Sequence, residues 1–365
     1  MSRPGPWPCS SVLSLTFQEN VPLAPRTTLE LGGPARWFVE AQSDDDVMEA
    51  LRFARDQGAR TFVLGGGSNV VIADRGFDGL VLAMRQRGVE VIEDGDVATV
   101  RIAAGEPWDP VVETMVDRGL AGVECLSGIP GLCGALPIQN VGAYGQEIAE
   151  CLVEARVLDR GVAMTLSRAE CELAYRSSRF KREPGRFIVL GVTLRLEKNG
   201  APAIRYAELQ GKLTSTAAPV LADVRRAVLE LRAAKSMVIH PLDENRRSVG
   251  SYFMNPVVSK EQSDRVVEIA LAEGCVLTAA EVPRYAVSRE RVKLAAGWLV
   301  EKSGVSKGLR QGAFGVSTKH ALSLVHHGGG QATDLVELAR HVRESVRRRF
   351  GIELAPEAVH IGVIL

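Results

Sequence analysis

The chain has 365 residues, 46% of them hydrophobic, and its positive and negative side chains balance at 44 each. This length exceeds one ordinary hydrophobic core, so we expect a globular protein of two or three domains. The balanced charge lacks the basic excess of nucleic-acid-binding proteins, and no apolar run is long enough to span a bilayer. We therefore expect neither a nucleic-acid partner nor insertion into a membrane.

The cysteines and the N-terminal segment bear on the cellular compartment. The six cysteines, Cys133 among them, show no C-x-x-C spacing, which predicts reduced and mostly buried thiols in a cytoplasmic protein. Residues 1–20 contain Pro4, Pro6 and Pro8 and lack the apolar region of a signal peptide. We interpret residues 1–20 as an N-terminal tail.

The first half of the chain is predicted to be rich in strands. Ser43 and Asp46 fit a capping box that opens a helix ending near Gly58, and Pro107 opens a second helix that Gly119 ends. Strands are predicted at 29–40 (a pair around a glycine turn), 61–64, 70–74, 80–82, 89–104 (a hairpin), 153–158 and 187–194.

The second half is predicted to be more helical. Helices are expected at 221–232, 260–274, 292–303 and 333–350, and the last carries an apolar stripe that includes Leu335, Val342 and Phe350. A polar, proline-containing stretch covers 240–248, and residues 355–365 read as a strand-like tail. No internal repeat is evident.

Two glycine-rich segments indicate a binding site. Residues 127–145 hold five glycines and two prolines but no charge, and residues 65–69 read Gly-Gly-Gly-Ser-Asn directly after a buried strand. Glycine lets a backbone approach a ligand closely, and exposed backbone N–H groups bind anions such as a pyrophosphate. The spacing differs from the Rossmann fingerprint, so these loops favour a nucleotide site built between strands. The alternatives are a tight loop between sheets for the first segment and a hairpin turn for the second.

Three polar clusters are candidates for chemistry. Arg176 lies in the basic, aromatic run 175–181 and could hold a carboxylate or phosphate as a fork, although an exposed basic turn is the simpler interpretation. Ser251 and Asn255 lie in the aromatic run 250–256, which lacks a G-x-S-x-G elbow, so a strand lining the core is the alternative to a site. Glu357 follows Pro356 near the C-terminus, where an ordinary surface glutamate would look the same.

Taken in order, these motifs resemble those of the UDP-N-acetylenolpyruvoylglucosamine reductases (MurB). The resemblance extends from about residue 20 to the C-terminus. The Tyr206 segment resembles the tyrosine-bearing substrate loop of the type I branch. The motifs that carry the resemblance are residues 31–35, 64–69, 127–145, 175–181, 250–256, 293–299 and 356–357.

The resemblance implies an α+β fold. Its first part is an FAD-binding fold of two α+β subdomains, like those of the vanillyl-alcohol-oxidase (PCMH) type, with FAD between them. Its second part is a C-terminal α/β substrate-binding domain. The implied boundaries are 21–84 for the first FAD subdomain, with 351–365 returning to it, 85–232 for the second, and 233–350 for the substrate domain.

The resemblance also implies the reaction, which belongs to peptidoglycan precursor synthesis. NADPH reduces non-covalently bound FAD, and the reduced flavin then passes hydride to C3 of UDP-N-acetylglucosamine enolpyruvate, giving UDP-N-acetylmuramate. Arg176 and Glu357 would stabilise the enolate, and Ser251 would protonate C2. Apart from the cofactors, the expected partner is this small-molecule substrate. The protein is expected to be a monomer.

Further residues are assigned by the same resemblance. Tyr206, Lys235, Asn255 and Lys302 would bind the substrate, Lys302 at a position where relatives place glutamine. No metal site is expected. The implied FAD-binding residues are Gly65, Gly66, Gly67, Ser68, Asn69, Ser127, Gly128, Gly131, Gly134, Gln139, Asn140, Gly142, Ala143, Tyr144 and Gly145.

Two rival functions fit part of the same sequence. One is a sugar or alcohol oxidase of the same fold, in which a histidine or cysteine often tethers the flavin; the 65–69 loop has neither, although Cys133 lies in the second loop. The other is a flavin- or nucleotide-binding module without activity. Arg176, Ser251 and Glu357 argue against it, because all three occur at their motif positions.

Overall fold

A computed structural model describes residues 15–365. Most of the expected N-terminal tail, residues 1–14, lies outside the described residues. The first strand begins at Gln18, within the last residues of that expected tail. No helix within 15–365 is long and apolar enough to cross a membrane.

The strands, in chain order, are β1 Gln18–Pro22, β2 Pro34–Ala41, β3 Arg60–Leu64, β4 Val70–Ile72, β5 Phe77–Met84, β6 Val89–Asp94, β7 Val97–Ala103, β8 Leu120–Ala121, β9 Gly142–Ala143, β10 Gln146–Glu147, β11 Leu152–Asp159, β12 Val162–Ser167, β13 Phe187–Lys198, β14 Val257–Ser259, β15 Arg284–Ala286, β16 Arg291–Leu294, β17 Arg310–Gln311, β18 Phe314–Val316, β19 Leu324–His326 and β20 Val359–Ile361.

The α-helices are α1 Asp44–Asp56, α2 Trp108–Asp117, α3 Ile148–Cys151, α4 Arg168–Cys171, α5 Arg179–Arg182, α6 Ala207–Leu213, α7 Leu221–Ala234, α8 Lys260–Ala272, α9 Ala296–Lys302 and α10 Ala332–Phe350. Short 3-10 helices cover Ala24–Arg26, Glu124–Leu126, Cys133–Ala135 and Ala279–Glu281.

The described residues pack as two compact units. The first unit holds the described residues up to Val21, then Pro34–Gly66 and Phe77–Ala233. The second holds Pro22–Gly33, Gly67–Gly76 and Ala234–Leu365. The boundary between units falls inside the 65–69 loop, so that Gly66 belongs to the first unit and Gly67 to the second.

The first unit contains a four-stranded sheet in the order β1-β2-β5-β3, in which β5 pairs in parallel with both β2 and β3. Helix α1 buries Val47, Ala50 and Ala54. The predicted capping box is confirmed, because the Ser43 hydroxyl accepts the Asp46 N–H while the Asp46 carboxylate accepts the Ser43 N–H.

The second sheet of the first unit has six strands, in the order β12-β11-β13-β7-β6 with β8 also on β13, and all its pairs are antiparallel. The predicted hairpin at 89–104 is confirmed as β6 and β7. The predicted helix after Pro107 is α2, whose buried face includes Trp108, Val112 and Met115.

The second unit is built around α10. The predicted apolar stripe is confirmed, with Leu335, Val342 and Phe350 buried in one core together with residues of α8 and α9. Three small sheets belong to this unit, in the orders β14-β16-β15, β17-β18-β19 and β20-β4. The last joins two strands far apart in sequence, because Val359 of β20 pairs in parallel with Val70 of β4.

Two of the predicted elements are wrong. The segment before Gly32 is a turn, in which the Glu30 N–H donates to the Thr27 carbonyl and Glu30 takes a left-handed φ of 53°. The predicted helix at 292–303 starts too early, because β16 runs to Leu294 and α9 begins only at Ala296. A short apolar run does not distinguish strand from helix, so neither error was avoidable from periodicity.

The two glycine loops meet inside the first unit. A Cβ added to Gly66 would lie 2.8 Å from the Cα of Gly131, closer than side chains approach a backbone, whereas a Cβ added to Gly65 meets no atom within 4 Å. The backbones of the loops are therefore in direct contact at Gly66.

We predict that Gly66→Ala lowers the free energy of unfolding by about 1–3 kcal/mol, because a clash with backbone cannot be relieved by rotating a side chain. The matched variant Gly65→Ala, one residue away in open space, should stay within about 0.5 kcal/mol of the parent. Urea unfolding of the cofactor-free proteins measures both. Equal losses in the two variants would contradict the close contact.

Candidate active site

The glycine-rich segment 127–145 is held against the start of α2. The Trp108 backbone N–H donates to the Gly131 carbonyl (3.0 Å), and the Trp108 indole N–H donates to the Leu126 carbonyl (3.1 Å). The Gly134 N–H donates to the Ala104 carbonyl (2.9 Å). Because Gly128 and Gly131 have φ values of 71° and 120°, the turn between them needs residues without a Cβ.

The amide side chains in this segment have different environments. The buried Asn140 donates to the Glu147 carboxylate (2.9 Å) and to the Ala174 carbonyl (3.1 Å), and its oxygen accepts the Ala149 N–H (3.0 Å). Its side chain therefore holds the loop together. By contrast, the Oε1 of Gln139 is buried without a hydrogen-bond partner among residues 15–365. A buried polar atom in that state fits a ligand-binding position.

The end of the segment is a tight hairpin. Strands β9 and β10 pair across Tyr144 and Gly145, whose φ values are 49° and 84°. The ring of Tyr144 meets the ring of Tyr206 edge-on, 5.5 Å between centroids, and burial raises the pKa of Tyr144 to about 12. The structure thus brings the predicted substrate residue Tyr206 next to the predicted cofactor loop.

Arg176 lies against the same loop. Its guanidinium donates to the Gly142 carbonyl (2.7 Å) and, at a longer 3.4 Å, to the Asn140 carbonyl. The side chain is half-buried, and the residue takes a left-handed φ of 48°, which is strained for an arginine. Strain of this kind and partial burial favour a functional residue over the exposed basic turn that composition alone suggested.

Other predicted loop residues serve the fold. The Ser127 hydroxyl is buried and donates to the Glu124 carbonyl (2.7 Å). Cys133 is fully buried in the core of the first unit, and burial raises the pKa of its thiol. A neutral thiol packed among apolar side chains is a poor nucleophile, which argues against a covalent flavin tether there.

In the second unit, Ser251 and Glu357 lie on paired segments. Phe253 and Pro356 form an antiparallel bridge, the Glu357 N–H donates to the Tyr252 carbonyl (2.8 Å), and the Met254 N–H donates to the Ala355 carbonyl (3.0 Å). The pairing fixes the backbone that carries Ser251 beside the backbone that carries Glu357, although 106 positions separate the two residues in sequence, counted from 251 to 357.

Asn69 lies beside the same pairing. Its side-chain amide donates to the Glu357 carbonyl (3.3 Å), and its own carbonyl accepts the Val359 N–H (3.0 Å). The neighbouring Gly67 has a φ of 65°, and a Cβ there would lie 2.0 Å from the Arg26 carbonyl oxygen, so no other residue fits. Gly67, Ser68 and Asn69 are thereby placed in the unit that carries Ser251 and Glu357.

The remaining predicted substrate residues of the second unit lie on separate segments of the chain. Asn255 lies at the start of α9, where its side-chain oxygen accepts the Ala296 N–H (2.9 Å). Lys302 is the last residue of that helix, and Lys235 directly follows α7. Both lysines are half-buried.

Sequence reasoning missed two structural partners of the site. Glu124 is fully buried, and its carboxylate accepts the Gln146 side-chain amide (3.1 Å) and the Ala203 N–H (2.7 Å), which anchors the segment before Tyr206. Its one signal was a charge inside an apolar run. Tyr252, whose hydroxyl pairs with His360 (2.8 Å), reinforces the pairing near Ser251 but gave no signal beyond a core aromatic residue.

Comparisons with known proteins identify two regions of the chain. The family model for the UDP-N-acetylenolpyruvoylglucosamine reductase C-terminal domain matches residues 240–361, and the model for an FAD binding domain matches residues 35–163. The second match confirms the expected FAD-binding region in the first half of the chain.

A solved structure supports the fold. The chain resembles the crystal structure of the UDP-N-acetylenolpyruvylglucosamine reductase of Thermus caldophilus with a TM-score of 0.64 and 23% identity, covering 95% of this chain and 99% of that one. This likeness confirms the predicted α+β FAD-binding fold with a C-terminal domain.

Similar sequences are related over their whole length. The UDP-N-acetylenolpyruvoylglucosamine reductase of Thermobifida fusca is 46% identical, over 97% of this chain and 100% of its own. That of Streptomyces coelicolor is 43% identical, over 100% of this chain and 96% of its own. The chain therefore belongs to the UDP-N-acetylenolpyruvoylglucosamine reductase family.

Proposed function

We propose that the protein reduces the enolpyruvyl group of UDP-N-acetylglucosamine enolpyruvate, giving UDP-N-acetylmuramate for peptidoglycan precursor synthesis. NADPH is the electron donor and FAD the carrier. The observation that carries the proposal is membership of the reductase family over the full chain. Arg176, Ser251 and Glu357 stand at the motif positions that the resemblance assigned to the reaction.

The residues present fit FAD. The contact of Gly66 with Gly131 leaves backbone uncovered by side chains, and the buried oxygen of Gln139 is open to a donor. Bound FAD supplies the hydride transfer between NADPH and the enolpyruvyl group. We propose that the glycine loops bind its pyrophosphate. The remaining residues proposed for FAD binding are Gly65, Gly67, Ser68, Asn69, Ser127, Gly128, Gly134, Asn140, Gly142, Ala143, Tyr144 and Gly145.

The proposed FAD site is non-covalent, because Cys133 is buried in the core and the 65–69 loop has no histidine or cysteine. Acid precipitation of the yellow protein should therefore release all the flavin into the supernatant, where its absorbance measures it. Flavin that stays with the denatured pellet would contradict non-covalent binding. A colourless protein that FAD does not reconstitute would contradict the site itself.

Arg176 is proposed to bind the substrate carboxylate. Reduction at C3 leaves an enolate conjugated with that carboxylate, so negative charge grows during the step. A guanidinium held by the Gly142 carbonyl is pre-oriented, and its planar fork matches a carboxylate.

We predict that Arg176→Lys lowers turnover by roughly 10²–10³ while substrate binding to the oxidised enzyme changes far less, because the fork is lost where charge develops. The matched control is Arg179→Lys, in the same basic run, whose guanidinium binds Glu183 (2.9 Å). Steady-state kinetics and substrate titration separate the two effects. Near-parental turnover in Arg176→Lys would leave Arg176 as a structural residue.

Ser251 is proposed to donate the proton to C2, and Glu357 to orient or polarise the same group. A serine hydroxyl is a weak acid in water, but an enolate is strongly basic, and a site that excludes water favours the transfer. The bridge between Phe253 and Pro356 gives both side chains a fixed backbone.

Two half-reactions test Ser251. In Ser251→Ala, NADPH should still bleach the flavin, because that step needs neither the hydroxyl nor the sugar. Reoxidation by the enolpyruvyl substrate should fall by several orders of magnitude, and Ser251→Cys should recover part of it. Stopped-flow absorbance measures both steps. Reoxidation of Ser251→Ala at the parental rate, or failure in flavin reduction instead, would remove Ser251 from the proton-donor role.

The remaining assignments complete the proposal. Tyr206, Lys235, Asn255 and Lys302 bind the nucleotide sugar. The chain divides into FAD subdomains at 21–84, with 351–365 returning, and 85–232, and a substrate domain at 233–350. The strand β20 pairs with β4, which lies within the first of these ranges but, like β20, belongs to the second compact unit. The protein acts as a monomer in the cytoplasm, which gel filtration and cell fractionation check.

The reaction itself is tested by steady-state assay. NADPH should be consumed only when UDP-N-acetylglucosamine enolpyruvate is present, and mass spectrometry should show a product heavier by two hydrogens. UDP-N-acetylglucosamine, which lacks the enol ether, is the matched control. NADPH consumption that is equal with both sugars, or product that keeps the mass of the substrate, would contradict the proposed function.

A further inference from the structure

One carboxylate links three elements behind the glycine-rich segment. Asp109 lies in the first turn of α2, and its Oδ1 accepts the Gly128 backbone N–H (2.5 Å). The same carboxylate accepts both terminal nitrogens of Arg225 from α7, at 2.7 Å and 3.1 Å. Asp109 is therefore the one contact through which Arg225 reaches the Gly128 turn.

Arg225 is buried and contacts two carboxylates: besides Asp109, its guanidinium lies 3.4 Å from the Glu113 carboxylate. Its side chain is only 9% exposed and belongs to the buried stripe of α7 with Leu221, Val224 and Val228. Burying an arginine is costly unless the charge is paired, and a fork-to-carboxylate pair is the favourable form. Burial alone would raise the pKa of Asp109, but hydrogen bonds from Arg225 and Gly128 outweigh it and hold that pKa below its usual value.

The helix that carries Arg225 packs behind the loop. Val224 and Val228 share a core with Cys125 and Leu209, and Tyr144 packs against that core. The Gly128 turn has a left-handed φ, and other hydrogen bonds hold its neighbours Leu126, Ser127 and Gly131, whereas Asp109 accepts the N–H of Gly128 itself. The geometry of the turn therefore depends on an acceptor at Asp109 that Arg225 orients.

We propose that Asp109 and Arg225 are positioning residues for FAD, which fix the Gly128 turn in its binding conformation without touching the cofactor. This inference rests on the proposed function, since it assumes that the loop binds FAD. A turn that adopts the competent conformation only part of the time binds its ligand more weakly in proportion to that fraction.

The test compares two matched ion pairs of the first unit. Asp109→Asn removes the charge that holds Arg225, and Arg225→Lys removes the fork while leaving Asp109 in place. The controls are Asp159→Asn and Arg186→Lys, because Arg186 also binds one aspartate through two nitrogens (2.8 and 2.6 Å) and a nearby glutamate, Glu183. The second pair makes no contact with residues 127–145 among those described.

The cofactor-free proteins are titrated with FAD, and flavin fluorescence gives the dissociation constant. We expect Asp109→Asn and Arg225→Lys to raise it roughly ten- to a hundredfold, the loss typical of a charged hydrogen bond. The two control variants should stay within about twofold of the parent, inside the usual range of surface substitutions.

Hydrogen exchange provides a second readout that a general loss of stability would not reproduce. In the parent without FAD, the peptide that contains Gly128 should already be protected, and protection should fall selectively there in Arg225→Lys. Parental FAD affinity in both variants, equal weakening in the control pair, or an unprotected Gly128 peptide in the FAD-free parent would each overturn the inference. A parent that binds no FAD would overturn the proposed function instead.

Discussion

Contact between two backbones is the constraint on which the first unit depends. Gly66 and Gly131 approach so closely that a single methyl group on Gly66 would collide with the opposite Cα. Two loops that meet in this way leave their peptide groups uncovered, and uncovered N–H groups suit an anionic pyrophosphate. The rest of the loop geometry follows from hydrogen bonds to the start of α2, which turn a flexible, glycine-rich segment into a defined surface.

The second unit reaches a defined site by pairing distant segments. The run that carries Ser251 and the C-terminal run that carries Glu357 are joined by backbone hydrogen bonds, and Asn69 adds a third segment to the same place. The hydrogen bond between Tyr252 and His360 extends the pairing, and burial lowers the pKa of His360, which favours its neutral form. Backbone pairing positions side chains more reproducibly than a loop does, which suits the roles proposed for Ser251 and Glu357.

Much of the fold could be predicted because its signals are local. The capping box of Ser43 and Asp46 and the apolar stripe of α10 each depend on residues that lie within a few turns of one helix. The strand β16 and the turn before Gly32 were not predicted, because short apolar runs fit either structure and tertiary contacts decide between them. The pairing of β4 with β20 has no local signal at all.

The residues of the candidate site also differ in how far the local sequence reveals them. Its glycines and its Arg176, Ser251 and Glu357 are proposed because their motifs occur in a family order. Asp109 and Arg225 were not found, since a charge that pairs inside the fold looks in sequence like any surface charge, and Glu124 had only its apolar neighbours as a signal. Asn140 is the opposite case. The sequence assigned it to the cofactor, but in the structure its side chain holds the loop.

We propose above all that one flavin passes electrons from NADPH to an enolpyruvyl sugar. An anaerobic titration of the FAD-loaded parent tests it most directly. One equivalent of NADPH should bleach the visible flavin absorbance, and one equivalent of UDP-N-acetylglucosamine enolpyruvate should then restore it fully. Flavin that NADPH reduces but that only oxygen reoxidises would contradict the claim.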